Sequence, residues 1–176
     1  MSREISRAMF LGDIEKFDFL IQNGYDIHSV TEKERWNLLH RALVSVTLEP
    51  KIEMITHLIK NGVDINGIDC YGYSPLHYAA RTKNKKVAKC LLDAGAEINT
   101  VSNEGDTPLR LVFEIKPYDI EIVNLLLLRG ADMDHSNMGG ASIHELVKII
   151  CWEKDDLPII EIFDRYRKGK TSYNKK

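Results

Sequence analysis

Apolar residues recur along this chain in short runs at helical spacing, and a glycine closes each run. Val87, Ala88, Leu91 and Leu92 share one side of a helix, and Gly95 follows. The segments "LIQNGYDIHS", "LIKNGVDING", "LLDAGAEINT" and "LLLRGADMDH" repeat the pattern. They place Gly24, Gly62, Gly95 and Gly130 in register, 38, 33 and 35 residues apart. A second marker precedes each of the later runs. "WNLLHRAL", "YSPLHYAA", "DTPLRLVF" and "ASIHELVK" align Leu39, Leu76, Leu109 and Ile143 at intervals of 37, 33 and 34. Two independent markers with one period define an internal repeat.

Each unit reads as a helical hairpin. Ser74 and Thr107 can accept backbone N–H bonds at a helix start, with Pro75 and Pro108 at the first helical position, where no N–H is needed. Ala79 and Ala80 allow neighbouring helices to approach closely, and the closing glycine takes the left-handed conformation that stops the second helix. One hairpin cannot bury its apolar face alone, so the units must stack.

The segment Asp69 to Val101, "DCYGYSPLHYAARTKNKKVAKCLLDAGAEINTV", resembles a full ankyrin repeat. That resemblance covers nearly the whole chain and implies an all-α solenoid of about five stacked helix-turn-helix units with short hairpin loops, forming one domain over residues 1–176. Residues 2–30 read as an N-terminal cap, 31–68, 69–101 and 102–136 as internal units, and 137–176 as a divergent C-terminal cap. In the last unit "ASIHELVKIICWEK" is expected to be the first helix and "DLPIIEIFDRYRK" the second, with Asp156 as its cap, Gly169 as its end and "KTSYNKK" as a frayed tail. The chain departs from the family pattern in places. Arg35 stands where a glycine is usual, Arg110 where a histidine is usual, and extra residues at Ser45–Pro50 and Glu114–Asp119 fall between paired helices.

Composition narrows the function. A formal net charge of −2 gives no bulk attraction to nucleic acid or an anionic membrane. The N-terminus has no secretory apolar core, and "IVNLLLL", the longest apolar run, is far short of a membrane span. Three widely spaced cysteines, Cys70, Cys90 and Cys151, fit reduced thiols in a cytoplasm. Cys90 is expected to be buried and Cys70 to sit exposed at a hairpin tip.

Candidate chemistry is sparse. His40, His77 and His144 recur once per unit, so stacking spaces them about 10 Å apart, too far to converge on a metal. The family resemblance implies instead that they bond within their own turn and to the neighbouring unit. "HELVK" lacks the second histidine of a zinc helix, since Lys148 occupies its place. No nucleophile elbow or phosphate-cradling loop is present. No enzymatic activity and no cofactor are expected, and a small enzyme is the rival reading from another class. Asn66 and Asn99 are read as bracing the hairpins, with hydroxylation, known for such residues in animal ankyrin proteins, as the alternative.

The hairpin tips and the outward side of the first helices carry no stacking duty. Ankyrin resemblance implies that these positions form a concave protein-binding surface. They include Lys33, Glu34, Trp36 and Val44 in the second unit, and Cys70, Tyr71, Tyr73, Arg81 and Thr82 in the third. Asn103, Glu104, Asp106, Glu114 and Ile115 follow in the fourth, then Asn137 and Met138. Trp36 has a second reading, packed inward to fill the gap left by the missing turn glycine. The resulting expectation is a cytoplasmic protein, monomeric when unbound, that binds and masks another protein. An immunity protein covering a cognate toxin domain is its narrower form, since compact ankyrin chains of this kind include such proteins. An adaptor or host-targeting effector is the alternative.

Overall fold

The computed structural model describes residues 3–44, 49–151, 153 and 156–173. Among them the backbone forms ten helices and no extended strand, only an isolated bridge between Ser136 and Ser142. The helices pair as five antiparallel hairpins: α1 (Arg3–Leu11) with α2 (Ile14–Gln22), α3 (Leu38–Leu43) with α4 (Ile52–Lys60), α5 (Pro75–Arg81) with α6 (Lys85–Asp93), α7 (Pro108–Leu111) with α8 (Ile120–Leu128), and α9 (Ile143–Ile150) with α10 (Leu157–Tyr173). The first helices of successive units pack together, α3 on α5 on α7. The second helices form a parallel layer, α4 on α6 on α8 on α10.

Local chemistry sets the boundaries. Asn37, Thr107 and Ser142 accept a backbone N–H at the starts of α3, α7 and α9. At α5, the backbone N–H of Ser74 donates to His77 Nδ1 at 3.0 Å. Gly24, Gly62, Gly95 and Gly130 all carry φ between 81° and 96°, the left-handed conformation that ends each second helix. The core lies between the two helical layers and includes Phe17, Leu39, Ile55, Leu76, Leu91, Leu109, Leu126 and Phe163. Leu91 is fully buried; Leu92, one position on, is half-buried.

A bonded ladder ties the units together. His40 Nε2 donates to the carbonyl of Tyr73 at 2.9 Å, and His77 Nε2 to that of Asp106 at 3.0 Å. Since Ser74 N–H occupies Nδ1 of His77, the ring proton sits on Nε2. Arg110 makes the next rung, through Nη1 to the carbonyl of Ala141 at 3.1 Å. His144 ends the series. It is buried against Phe163, and its Nε2 has no hydrogen-bond partner among the described residues.

Three expectations need correction. Helix α10 does not stop at Gly169 but continues to Tyr173. A glycine inside a helix costs only about 1 kcal/mol, and nothing here requires it to turn left-handed. Helix α9 ends at Ile150, earlier than expected. Cys90 is half-buried, because α6 turns Val87, Ala88 and Leu91 inward and leaves the thiol on its outer flank. The extra residues at Glu114–Asp119 do lie between α7 and α8, and Lys83 Nζ donates to two of their carbonyls, those of Ile115 and Pro117. Of the insertion at Ser45–Pro50, residues 45–48 lie outside the described residues.

Candidate functional site

The loops joining the units form a row of tips, each bonded to the next. Cys70 N–H donates to the carbonyl of Glu34 at 2.9 Å, Asn103 N–H to that of Tyr71 at 2.9 Å, and the Asn103 side chain to the Cys70 carbonyl at 3.0 Å. Gly72 permits this approach. Its φ is +80°, and a Cβ there would lie 2.8 Å from the Asn103 nitrogen. The row therefore holds Lys33, Glu34, Tyr71, Asn103 and Glu104 in a fixed order along the stack, with Met138 beyond Glu104.

Asp69 organises the third tip. It is 3% exposed, yet its carboxylate is fully engaged. Oδ1 accepts the backbone N–H of Tyr71 and of Tyr73, both at 2.9 Å. Oδ2 accepts the Tyr78 hydroxyl at 2.6 Å and the Trp36 indole N–H at 3.1 Å. A buried carboxylate with four donors is stable without a counter-cation. Asp69 is a site residue outside the predicted surface set; its signal in the sequence is an aspartate three residues before a turn glycine, the pattern of a side chain that bonds its own turn.

The predicted surface residues fall into three environments. Tyr71 is 56% exposed, and Lys33, Asn103, Glu104, Glu114 and Arg81 are exposed with it. Tyr73 is half-buried, with ring centroids 6.4 Å from Tyr71, 5.3 Å from His77 and 6.0 Å from Tyr78. It joins the exposed row to the core. Trp36 and Asp106 face inward. Trp36 stands edge-on to Tyr78 at 6.4 Å and is tied to Asp69, and Asp106 forms an ion pair with Arg110 at 3.0 Å and accepts from the Asn137 side chain at 2.9 Å. Both are therefore held by structural bonds. Glu34 is half-buried, and the bond to its neighbour uses only its carbonyl.

The electrostatics of this face are mainly acidic. The Tyr73 hydroxyl is pushed up from its usual range first by burial, then by Glu114, Asp106 and Glu104, against a smaller opposing pull from Arg81. Arg81 itself pairs with Glu114 at 3.7 Å, reaching from the end of α5 to the loop after α7. The arrangement offers an aromatic platform, a rim of carboxylates, and the cations Arg81 and Lys33. Among the described residues no group of three or more histidine, cysteine, aspartate or glutamate side chains could hold a metal ion, and no helix is long and apolar enough to cross a membrane. The Asn66 side chain accepts the Glu97 N–H at 2.9 Å, and that of Asn99 accepts the Asp132 N–H at 2.8 Å, so both link adjacent units.

A family model described as ankyrin repeats, in three copies, matches residues 5–102 and 49–137. The chain is 32% identical over 150 residues to the ankyrin repeat protein nuc-2 of Neurospora crassa, which covers 79% of this chain and 13% of that protein. It is 34% identical over 77 residues to a putative ankyrin repeat protein, L271, of Acanthamoeba polyphaga mimivirus, covering 44% of this chain and 10% of that one. The chain thus spans about a tenth of the length of these two relatives. A third relative is nearer in size. Human protein phosphatase 1 regulatory subunit 27 is 33% identical over 123 residues, 70% of this chain and 74% of that protein.

Proposed function

The chain belongs to the ankyrin-repeat family, and from that premise we propose that it is a protein-binding module that acts by covering its partner. The observation that carries this reading is the exposed Tyr71, set on a rigid row of tips beside Arg81 and the carboxylates of Glu104 and Glu114. Tyrosine and arginine dominate the energetics of protein interfaces, and an anchored backbone lowers the ordering cost of binding. Lys33, Glu34 and Asn103 extend the contact along the row. Tyr73 supports Tyr71 from below, and Trp36 and Asp106 act through the positions they hold. The acidic rim favours a partner that presents a lysine or arginine beside an apolar side chain.

In its narrower form the partner is a toxin and the chain its immunity protein. None of the relatives described above is named for such a role. One is a phosphatase regulatory subunit, and its name supports an enzyme as the covered partner. Free thiols at Cys70, Cys90 and Cys151 support a reducing compartment such as the cytoplasm.

The test compares the intact protein with Tyr71→Ala/Arg81→Ala in cross-linked capture from the source cells, followed by calorimetry with the captured protein. Both side chains are exposed, so melting should be unchanged while affinity falls by roughly a hundredfold or more. Unchanged melting with unchanged affinity removes this face from the interface.

A further inference from the structure

The opposite side of the molecule, where the second helices lie, carries a feature that the tip surface does not explain. Helices α4 and α6 run parallel there and leave between them an open groove of about 410 Å³. Its floor is apolar. Ile52 lies at one end and Ile59 at the other, with Thr56 and Cys90 between them. The polar atoms of that floor are already satisfied. The Thr56 hydroxyl donates to the Ile52 carbonyl at 2.9 Å, which leaves its oxygen to accept the Cys90 thiol at 3.6 Å. An occupant therefore meets hydrocarbon and a thiol, with no unpaired donor or acceptor to match.

The ends of the groove are cationic. Lys86 stands in the first turn of α6 and Lys60 at the last position of α4, on opposite walls and at opposite ends. Neither forms an ion pair among the described residues. The wall's own carboxylate, Asp93, is held by Lys89 at 2.5 Å and by Arg129 at 2.6 Å, so that trio adds net positive charge. The hollow beyond Ile52 is lined by Lys51 and by Lys86 itself together with Glu49 and Glu53, and its mixed charge bounds the cationic stretch. Nine helical residues per wall give a length of about 13 Å at 1.5 Å per residue.

We propose that this groove is a second docking surface, which takes an acidic amphipathic helix of about two turns from a partner protein. Its apolar side chains lie over Ile52, Ile59 and Cys90, and carboxylates about seven residues apart meet Lys86 and Lys60. Helix-in-groove recognition uses this spacing of anchors. The surface is independent of the tip row, so one can fail while the other stands.

The experiment uses the full chain carrying Cys70→Ser, which leaves Cys90 as the accessible thiol, because Cys151 is buried. A displayed library of random dodecapeptides is selected on this protein and counter-selected on the same protein with Lys60→Glu/Lys86→Glu. The enriched peptides are made as soluble copies, and their effect on N-ethylmaleimide labelling of Cys90 is measured. The expected peptides carry two acidic residues about seven apart with apolar residues between. They slow labelling severalfold and bind roughly tenfold or more weakly to the double variant. Equal melting of the two proteins shows that the loss is local. The proposal is overturned by no enrichment over the counter-selected variant, by enriched peptides that leave labelling unchanged, or by a self-associated dimer that already shields Cys90.

Discussion

Arg110 Nη1 donates to the carbonyl of Ala141 at 3.1 Å, the bond that His40 and His77 make from the equivalent positions through a ring nitrogen. The guanidinium also pairs with Asp106, so one side chain links its own turn to the following unit. Arg110→Ala removes both contacts and should cost about 2 kcal/mol, measured from the denaturant midpoint. Arg110→His restores the rung and should lose less than half of that. Equal losses for the two variants would show that the ladder bond is not what stabilises this junction.

The last histidine of the series should behave in the opposite way. His144 Nδ1 accepts from Arg167 at 3.2 Å, but its buried Nε2 makes no hydrogen bond among the described residues and stands 3.9 Å from the Asp164 carboxylate, so the burial of that nitrogen is poorly compensated. His144→Leu should be neutral or stabilising by about 1 kcal/mol, whereas His77→Leu breaks a satisfied buried bond and should destabilise by about 1–3 kcal/mol. The order of the two melting temperatures decides the matter.

Stability should depend on pH through the ladder. Burial pushes His77 down to about 4 from 6.5, outweighing its carbonyl bond to Asp106 and the nearby carboxylates. Burial likewise lowers His40 and His144. A histidine depressed in the folded state takes up its proton more readily when unfolded. Its stabilising effect is complete above pH 6.5 and is lost as pH falls from 6.5 towards 4. For His77 the loss is of the order of 3 kcal/mol. His77→Gln keeps an N–H donor but does not titrate, so unfolding curves across that range should show a shallower slope. An unaltered slope would assign the acid sensitivity to other groups.

Two turn positions should respond in opposite directions. Gly72 has φ +80° and no room for a Cβ, so Gly72→Ala should destabilise by several kcal/mol through backbone strain and a clash with Asn103. Arg35 occupies the equivalent place in the preceding unit with φ 59°, a conformation costly for a side chain that, unlike asparagine or aspartate, cannot bond its own turn. Arg35→Gly should gain about 1 kcal/mol in calorimetry. A loss there would mean that the Arg35 side chain makes a stabilising contact that outweighs the strain.

Much of this molecule follows from local chemistry that can be read residue by residue. The glycine that ends each second helix, the Ser, Thr and Asn residues that start the first helices, and the period between them act within a few positions of one another. The repeat, the helical class and the row of exposed tips were therefore determined by the sequence alone. Tertiary structure decided the rest. Trp36 turns inward because Asp69 and Tyr78, 33 and 42 residues away, supply partners for its indole N–H. Tyr73 is half-buried because its ring meets Tyr78 and His77, and Cys90 borders a groove because a second helix runs beside α6. Helix α10 passes through Gly169, although α2, α4, α6 and α8 are each closed by a glycine. Helical spacing shows that a residue shares a face with others. Which neighbouring unit meets that face, and whether the contact closes over the side chain, depends on a stacking geometry that no short stretch of the chain contains.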